Sequence, residues 1–413
     1  MAKFIIRGGN QLSGTLEVKG SKNAVLPILC ATLLAEGEYI LHNVPNLRDI
    51  ETMNKVLQAL GITVEKIDNH SYKIINDGVK SVEAPHEFVS IMRASFLVMG
   101  PLLASQKEAR VSLPGGCAIG ARPVNYHLEG FKKLGAKITM DHGYVGAKAS
   151  KLVGTEINLP FPSVGATENI VMASVLAEGK TVIKNVAKEP EITDLCNFLN
   201  KMGSKITGLD TDTLEVEGVK ELHACEHKII PDRLEAGTFI IMSAITGGKI
   251  RVDGADLNHL SGFLEKLEEI GVKVNQYGEI KVGELKPVDI VTEPYPGFPT
   301  DLQAQTMVLL SMVDGKSTVH ETVFENRFMH IMELNRLGCN IDAHGQVATI
   351  LGKVNLCGAK VEATDIRAGA SLILASVIAE NTTEINEIKY IERGYEDLEN
   401  RLKAVGVDIV RVE

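Results

Sequence analysis

The chain has 413 residues, 45% hydrophobic and 23% charged, enough for two or three globular cores. A net charge of −10, an aromatic content of 5% and the lack of tryptophan argue against a broad nucleic-acid or anionic-membrane surface. No apolar run approaches the ~20 residues that span a bilayer, and the N-terminal MAKFIIRGGN carries no secretory pattern. The six cysteines (Cys30, Cys117, Cys196, Cys225, Cys339, Cys357) form no C-x-x-C pair, and no histidine spacing suits a metal. These features predict a cytoplasmic protein with reduced thiols, no metal and no cofactor.

In chain order, FIIRGGNQLSGTLEV reads first as a pair of strands with no unit before it. An apolar helix, a turn and a strand follow in NAVLPILCATLLAEGEYIL, and then a helix end, a glycine and a strand in LQALGITVEK. Both phrases recur. The second returns as FKKLGAKITM, FLNKMGSKITG, LEEIGVKVNQ, LNRLGCNIDA and LKAVGVDIVR, at intervals of about 68 residues. Its glycines, Gly61, Gly135, Gly203, Gly271, Gly338 and Gly406, stand where a helix C-terminus needs the left-handed conformation. The first phrase returns in NIVMASVLAEGKTVI, AGTFIIMSAITGGKI, QTMVLLSMVDGKSTV and GASLILASVIAENTTEI. Its helices are apolar on most faces and should be buried, whereas the second helix of each unit is amphipathic. One unit reads strand, buried helix, strand, amphipathic helix and one or two further strands. Six such units are too large for a simple solenoid and suit two α/β domains of three units each. The unpaired N-terminal strands and the closing strand of the sixth unit should meet, which makes one domain discontinuous.

The helix starts carry the unusual residues. In GSKNAVLPIL, Ser21 is a candidate N-cap, which puts Lys22 and Asn23 in the first turn. A cation there opposes the helix dipole by about 0.3–1 kcal/mol. Arg93 in IMRASFLVM and Arg367 in DIRAGASLIL repeat the offence. Three such cations suggest helix starts converging on an anion; solvated cations are the plainer alternative. In LPGGCAIGARP, Cys117 sits among glycines five residues ahead of Arg122, which predicts a loop that closes over a ligand. The other five cysteines fall in helical or strand-like stretches and should react slowly. SVGATEN, starting at Ser163, is a small-residue turn whose N–H groups suit a phosphate. In PYPGFPTDLQAQ, Thr300 and Gln303 spell a capping box that places Asp301 at the first helical position. That setting lowers a carboxyl pKa, so Asp301 would orient a hydroxyl and take its proton late. Arg327 in FENRFMH and Arg393 in IERGYEDLE occupy loops before second helices.

Taken in order, VKGSKNA, IMRAS, LPGGCAIGARPVNYH, PSVGATEN, PGFPTDLQAQ, ETVFENRFMH, DIRAGASL and IERGYEDLE closely resemble the enolpyruvyl transferase family over the whole length. The resemblance implies a two-domain inside-out α/β barrel of six βαβαββ repeats, three per domain, around buried parallel helices. The domains would be 21–230, carrying the Cys117 loop, and 1–20 with 231–413, substrates binding in the cleft between them. It implies transfer of the enolpyruvyl group of phosphoenolpyruvate to the 3-hydroxyl of UDP-N-acetylglucosamine, with phosphate released through a tetrahedral ketal, as the first committed step of peptidoglycan precursor synthesis.

By the same resemblance, Lys22, Arg122 and Arg393 hold the anionic groups of phosphoenolpyruvate, and Asn23 lies beside the reacting centre. Arg327 and Arg367 are further cations of the cleft. The resemblance assigns the UDP-sugar to Arg93, the run Arg122, Pro123, Val124, Asn125 and Tyr126, the turn Ser163, Val164 and Gly165, and Asp301 with Val323. Asp301 takes the hydroxyl proton, and Cys117 is the general acid and the thiol alkylated by the epoxide fosfomycin. Two positions depart from some relatives, Phe161 replacing a lysine and Asn125 an aspartate. The sister activity on shikimate 3-phosphate lacks the cysteine loop, and a non-catalytic nucleotide-sugar-binding paralogue would not need Cys117, Lys22 and Arg393 together.

Overall fold

The computed structural model describes residues 2–113 and 124–413. Their contacts divide into two compact α/β units, one of residues 20–113 with 124–230, the other of 2–19 with 231–413. Each has its own hydrophobic core.

The first unit holds three four-stranded sheets of identical order. They run Glu226–Lys228, Gly37–His42, Tyr72–Asn76, Thr63–Lys66; then Glu83–Ala84, Glu108–Ser112, Tyr144–Lys148, Lys137–Asp141; then Glu156–Asn158, Lys180–Lys184, Thr213–Glu217, Lys205–Thr207. In each, the first pair is parallel and the other two are antiparallel. The parallel edge is what a helical crossover produces, and the hairpin is what a short turn produces.

The second unit repeats the order in Ile290–Val291, Gly315–His320, Val347–Gly352, Ile341–His344. Its next sheet is completed from the far end of the chain. The N-terminal strand Lys3–Arg7 pairs antiparallel with both Thr382–Asn386 and Asp408–Val412. The strand Gly14–Glu17 then lies parallel to Ile250–Asp253 and opens the remaining repeat. That repeat is split into two ribbons, the second formed by Val272–Val274 and Ile280–Val282.

The apolar helices are buried as their composition requires. Every residue of Arg233–Ile245 and of Gln303–Ser311 is buried, and so are Ala24 to Ala31 of Lys22–Ala31. The second helices, such as Arg48–Ala59 and Ser261–Ile270, bury one face only. All six repeat glycines adopt the left-handed region, with φ of 98° at Gly61, 100° at Gly135, 102° at Gly203, 109° at Gly271, 99° at Gly338 and 101° at Gly406. Among the described residues no helix is long and apolar enough to cross a membrane.

These glycines differ in what a side chain would meet. A Cβ at Gly135 would have its nearest neighbour, the Lys151 carbonyl oxygen, at 3.7 Å, whereas at Gly271 it would sit 2.3 Å from the Glu284 oxygen. Gly135→Ala should therefore cost only the left-handed penalty of about 1–2 kcal/mol. Gly271→Ala adds a backbone clash and should lower the melting temperature clearly further. Equal losses by differential scanning calorimetry would contradict this account.

Candidate active site

On the first unit, Lys22 opens the helix Lys22–Ala31 with no acidic residue in its own first turn. Its Nζ lies 3.3 Å from Oδ2 of Asp49, which is buried in the first turn of Arg48–Ala59. The unfavourable cation thus borrows a carboxylate from the next helix. Asn23 follows it, half-buried. Ser21 occupies the N-cap position but its side chain caps nothing, and its buried Oγ has no hydrogen-bond partner among the described residues. The expected serine cap is not made.

Arg93 begins a 3-10 turn, Arg93–Val98, rather than a regular α-helix; the α-helix starts at Met99. Pro101 explains the delay, because it has no N–H to offer the Leu97 carbonyl. The charge of Arg93 bears on His127, in the first turn of Asn125–Lys133. That imidazole packs edge-on against Phe96 at 5.3 Å, and its Nδ1 accepts from Asn169 Nδ2 at 3.0 Å. Burial first, and Arg93 second, push its pKa down to about 3. Val124 is the buried residue before the helix, Asn125 is exposed and Tyr126 half-buried.

The turn at Ser163 packs against the same histidine. A Cβ at Gly165 would stand 3.4 Å from His127 Cε1, so the glycine admits the ring. Ser163 does cap Val164–Ser174, its hydroxyl accepting from Ala166 N at 3.4 Å. Its own N–H is spent on the Phe161 carbonyl, which leaves Val164 and Gly165 as the candidate phosphate donors. Further along the helix, burial and then Glu191 and Glu189 raise the Glu168 carboxyl well above its usual range. Arg93, the 124–127 turn and the 163–165 turn therefore form one cluster. Cys117, Arg122 and Pro123 lie outside the described residues.

On the second unit, Asp301 is the focus. Its carboxylate pairs with the Arg327 guanidinium and lies 3.5 Å from Arg367 Nε. Both arginine side chains are buried, at 6% and 10% exposure, whereas Asp301 keeps 30%. Burial works against the charge on Arg367, but Asp301, Tyr395 and Asp232 outweigh it and raise its pKa further. Asp365 caps the helix Ile366–Ile378 by accepting from Arg367 N at 2.9 Å and Ala368 N at 3.1 Å. Tyr395 joins in, its hydroxyl 3.4 Å from Arg367 Nη1 and 2.9 Å from Thr238 Oγ1. Arg393 lies two residues earlier in the turn Ile391–Arg393, whose Ile391 packs at Gly369 of the same helix. Close by, burial first lowers His330 to about 4, with Asp365 opposing and Arg327 assisting.

The expected capping box around Asp301 is absent. Thr300 and Asp301 belong to a 3-10 turn, Thr300–Leu302, and the α-helix begins at Gln303. The Thr300 hydroxyl donates instead to Glu321 Oε2 at 2.7 Å, and Gln303 Nε2 donates to the Arg327 carbonyl at 3.1 Å. Glu321, His127 and Asp49 escape a reading of sequence. Glu321 opens the phrase ETVFENRFMH and His127 closes LPGGCAIGARPVNYH, which could have marked them, whereas Asp49 stands in neither; each acts through a partner distant along the chain.

The expectation for the thiols holds in part. Burial raises Cys30 well above its usual value, Cys196 to about 12 and Cys339 to about 11. Cys225 is half-buried in a loop and Cys357 is exposed at an isolated bridge. Both therefore depart from the expected buried helical or strand-like setting. Among the described residues no cluster of three potential metal ligands occurs.

The two lowered histidines make a pH prediction. Unfolded histidine titrates near 6.5, so below that value the unfolded chain binds protons that folded His127 and His330 refuse until about pH 3 and 4. Stability should fall with pH through this window, and His127→Gln should flatten the fall in melting temperature. Identical slopes for variant and wild type would contradict the assignment.

The sequence matches the family described as EPSP synthase (3-phosphoshikimate 1-carboxyvinyltransferase) over residues 6–402. It is 53% identical over 413 residues to UDP-N-acetylglucosamine 1-carboxyvinyltransferase 1 of Caldanaerobacter subterraneus subsp. tengcongensis, covering 99% of each chain. It is likewise 53% identical over 422 residues to the protein of the same name in Staphylococcus aureus strain N315, covering 100% of each. Among solved structures, the enolpyruvyl transferase NikO from Streptomyces tendae superposes with a TM-score of 0.90 at 22% identity, over 100% of this chain and 99% of that one. An EPSP synthase from Acinetobacter baumannii gives 0.77 at 17% identity with 100% of both chains covered. These two structures speak for the fold; the family follows from the sequence match, and this chain belongs to the EPSP synthase family of enolpyruvyl transferases.

Proposed function

We propose that this protein transfers the enolpyruvyl group of phosphoenolpyruvate to the 3-hydroxyl of UDP-N-acetylglucosamine and releases phosphate. The observation that carries the reading is Asp301, a partly exposed carboxylate held by two buried guanidinium groups at the start of a buried helix. Such a group is fixed in direction and charged, suited to orient a hydroxyl rather than to remove its proton early. Relatives 53% identical over essentially their full length, named UDP-N-acetylglucosamine 1-carboxyvinyltransferase, support this choice of acceptor.

The chemistry balances in two steps. The sugar oxygen bonds to C2 of phosphoenolpyruvate, its proton passes to Asp301, and Cys117 delivers a proton to the C3 methylene, giving a tetrahedral ketal. The C2–O bond to phosphate then breaks as C3 returns a proton to the Cys117 thiolate, the phosphate leaving with the bonding electron pair and taking up the proton held by Asp301. Lys22, Arg122 and Arg393 hold the phosphate and carboxylate of phosphoenolpyruvate, beside Asn23. Arg93, Arg122 to Tyr126, Ser163 to Gly165, and Val323 serve the UDP-sugar. Arg327 and Arg367 hold Asp301. We assign the protein to the cytoplasm and to peptidoglycan precursor synthesis, in two domains of inside-out barrel form.

Phosphate release from phosphoenolpyruvate should occur with UDP-N-acetylglucosamine and not with shikimate 3-phosphate. Release with shikimate 3-phosphate alone, or with neither acceptor, overturns the assignment. Fosfomycin followed by peptide mapping should label Cys117 and spare Cys30, Cys196 and Cys339. Cys117→Asp, which keeps a proton donor but loses the thiol, should stay active and resist the epoxide. Labelling of the buried thiols, or full activity in Cys117→Ser, would remove Cys117 from the mechanism.

A further inference from the structure

We propose that Glu321 is a positioning residue that fixes Asp301, a role that rests on the reaction assigned above. Glu321 is 1% exposed, yet each of its recorded hydrogen-bond donors is neutral. Its Oε1 accepts from Thr292 Oγ1 at 3.0 Å, Val323 N at 2.9 Å and Phe324 N at 3.0 Å. Its Oε2 accepts from Thr300 Oγ1 at 2.7 Å. These four donors come from three separate stretches of chain, and each stretch bears on the same carboxylate. Thr300 immediately precedes Asp301. Val323 and Phe324 open the turn that ends at Arg327, the arginine paired with Asp301, and the Phe324 ring lies 5.0 Å from its guanidinium. Thr292 closes the frame by accepting from Thr322 N at 2.9 Å while its hydroxyl donates to Glu321.

Glu321 therefore anchors both backbone approaches to the Asp301–Arg327 pair. Burying a carboxylate costs free energy that an apolar side chain would not, so stability alone is a poor reason for it. Geometry is a better one. Hydrogen bonds to an ionised acceptor are short and directional, and a reacting group displaced by about 1 Å loses on the order of 10²-fold in rate. The Thr300 hydroxyl donates into this frame, which holds the residue immediately before Asp301.

Three variants separate positioning from plain structure: Thr300→Val, Glu321→Ala and Glu321→Gln. Each is assayed by phosphate release with UDP-N-acetylglucosamine and phosphoenolpyruvate varied in turn, alongside its melting temperature. Thr300→Val and Glu321→Ala should lower kcat roughly tenfold and raise KM for the UDP-sugar, while KM for phosphoenolpyruvate moves less than about twofold. Glu321→Gln should recover to within about threefold of wild type. Its carbonyl replaces Oε1, and its amide donates to a Thr300 hydroxyl that turns to accept. Thr300→Val is nearly isosteric and keeps the test alive if Glu321→Ala fails to fold. The role is overturned if both KM values shift alike in step with lost stability. It is equally overturned if Thr300→Val leaves the acceptor kinetics unchanged, or if Glu321→Gln is as poor as Glu321→Ala. Wild-type turnover is the control: its absence rejects the functional reading, whereas normal wild-type turnover with unaffected variants rejects only the positioning role.

Discussion

Two guanidinium groups buried on one carboxylate set the terms for much of the second unit. Arg327 and Arg367 lose most of their water, and the Asp301 carboxylate is what repays that loss. Removing one member of such a buried set costs about 3–5 kcal/mol, because a charge is left stranded. The constraint reaches outward from there. It brings together the start of the 303–311 helix, the turn from 321 to 327 and the start of the 366–378 helix. Tyr395 belongs to the same ring, linked to Arg367 and through Thr238 to Gln305, which donates back to the Asp301 carbonyl at 3.0 Å. Little in this ring is free to move alone.

The first unit answers the same problem with less. Lys22 opens a buried helix and takes its carboxylate from Asp49 on the neighbouring helix. Arg93 stands at a 3-10 turn, and His127 beside it stays neutral, chiefly through burial and secondly through the charge of Arg93. A neutral ring whose Nδ1 accepts from Asn169 carries its own hydrogen on Nε2, so a donor stands close to the Ser163–Gly165 turn. In both units the helix starts that look wrong in isolation are made tolerable by groups far away in sequence.

That distance decides what is legible beforehand. The six repeat glycines can be read directly, because a left-handed residue at a helix end is a local requirement that almost only glycine meets cheaply. The buried helices are legible for a similar reason, from apolar character on every face. The cations at the helix starts stand out because they break a local rule. Their partners do not. Asp49 is an ordinary acidic residue in the first turn of an amphipathic helix, and Glu321 opens the phrase ETVFENRFMH without breaking any local rule. At Thr300 a local pattern predicts a capping box, whereas the hydroxyl in fact donates to a buried carboxylate twenty-one residues on. Local rules give way where a site must be built.

The central claim is that Asp301, aimed by its two arginines, acts on the acceptor hydroxyl during the reaction rather than merely binding the sugar. Asp301→Asn tests it most directly, with UDP-N-acetylglucosamine affinity from isothermal titration calorimetry set beside the rate of phosphate release. The account predicts affinity within about tenfold of wild type and a rate lower by at least about 10²-fold, the loss expected when a proton acceptor is removed. Turnover close to wild type would contradict it.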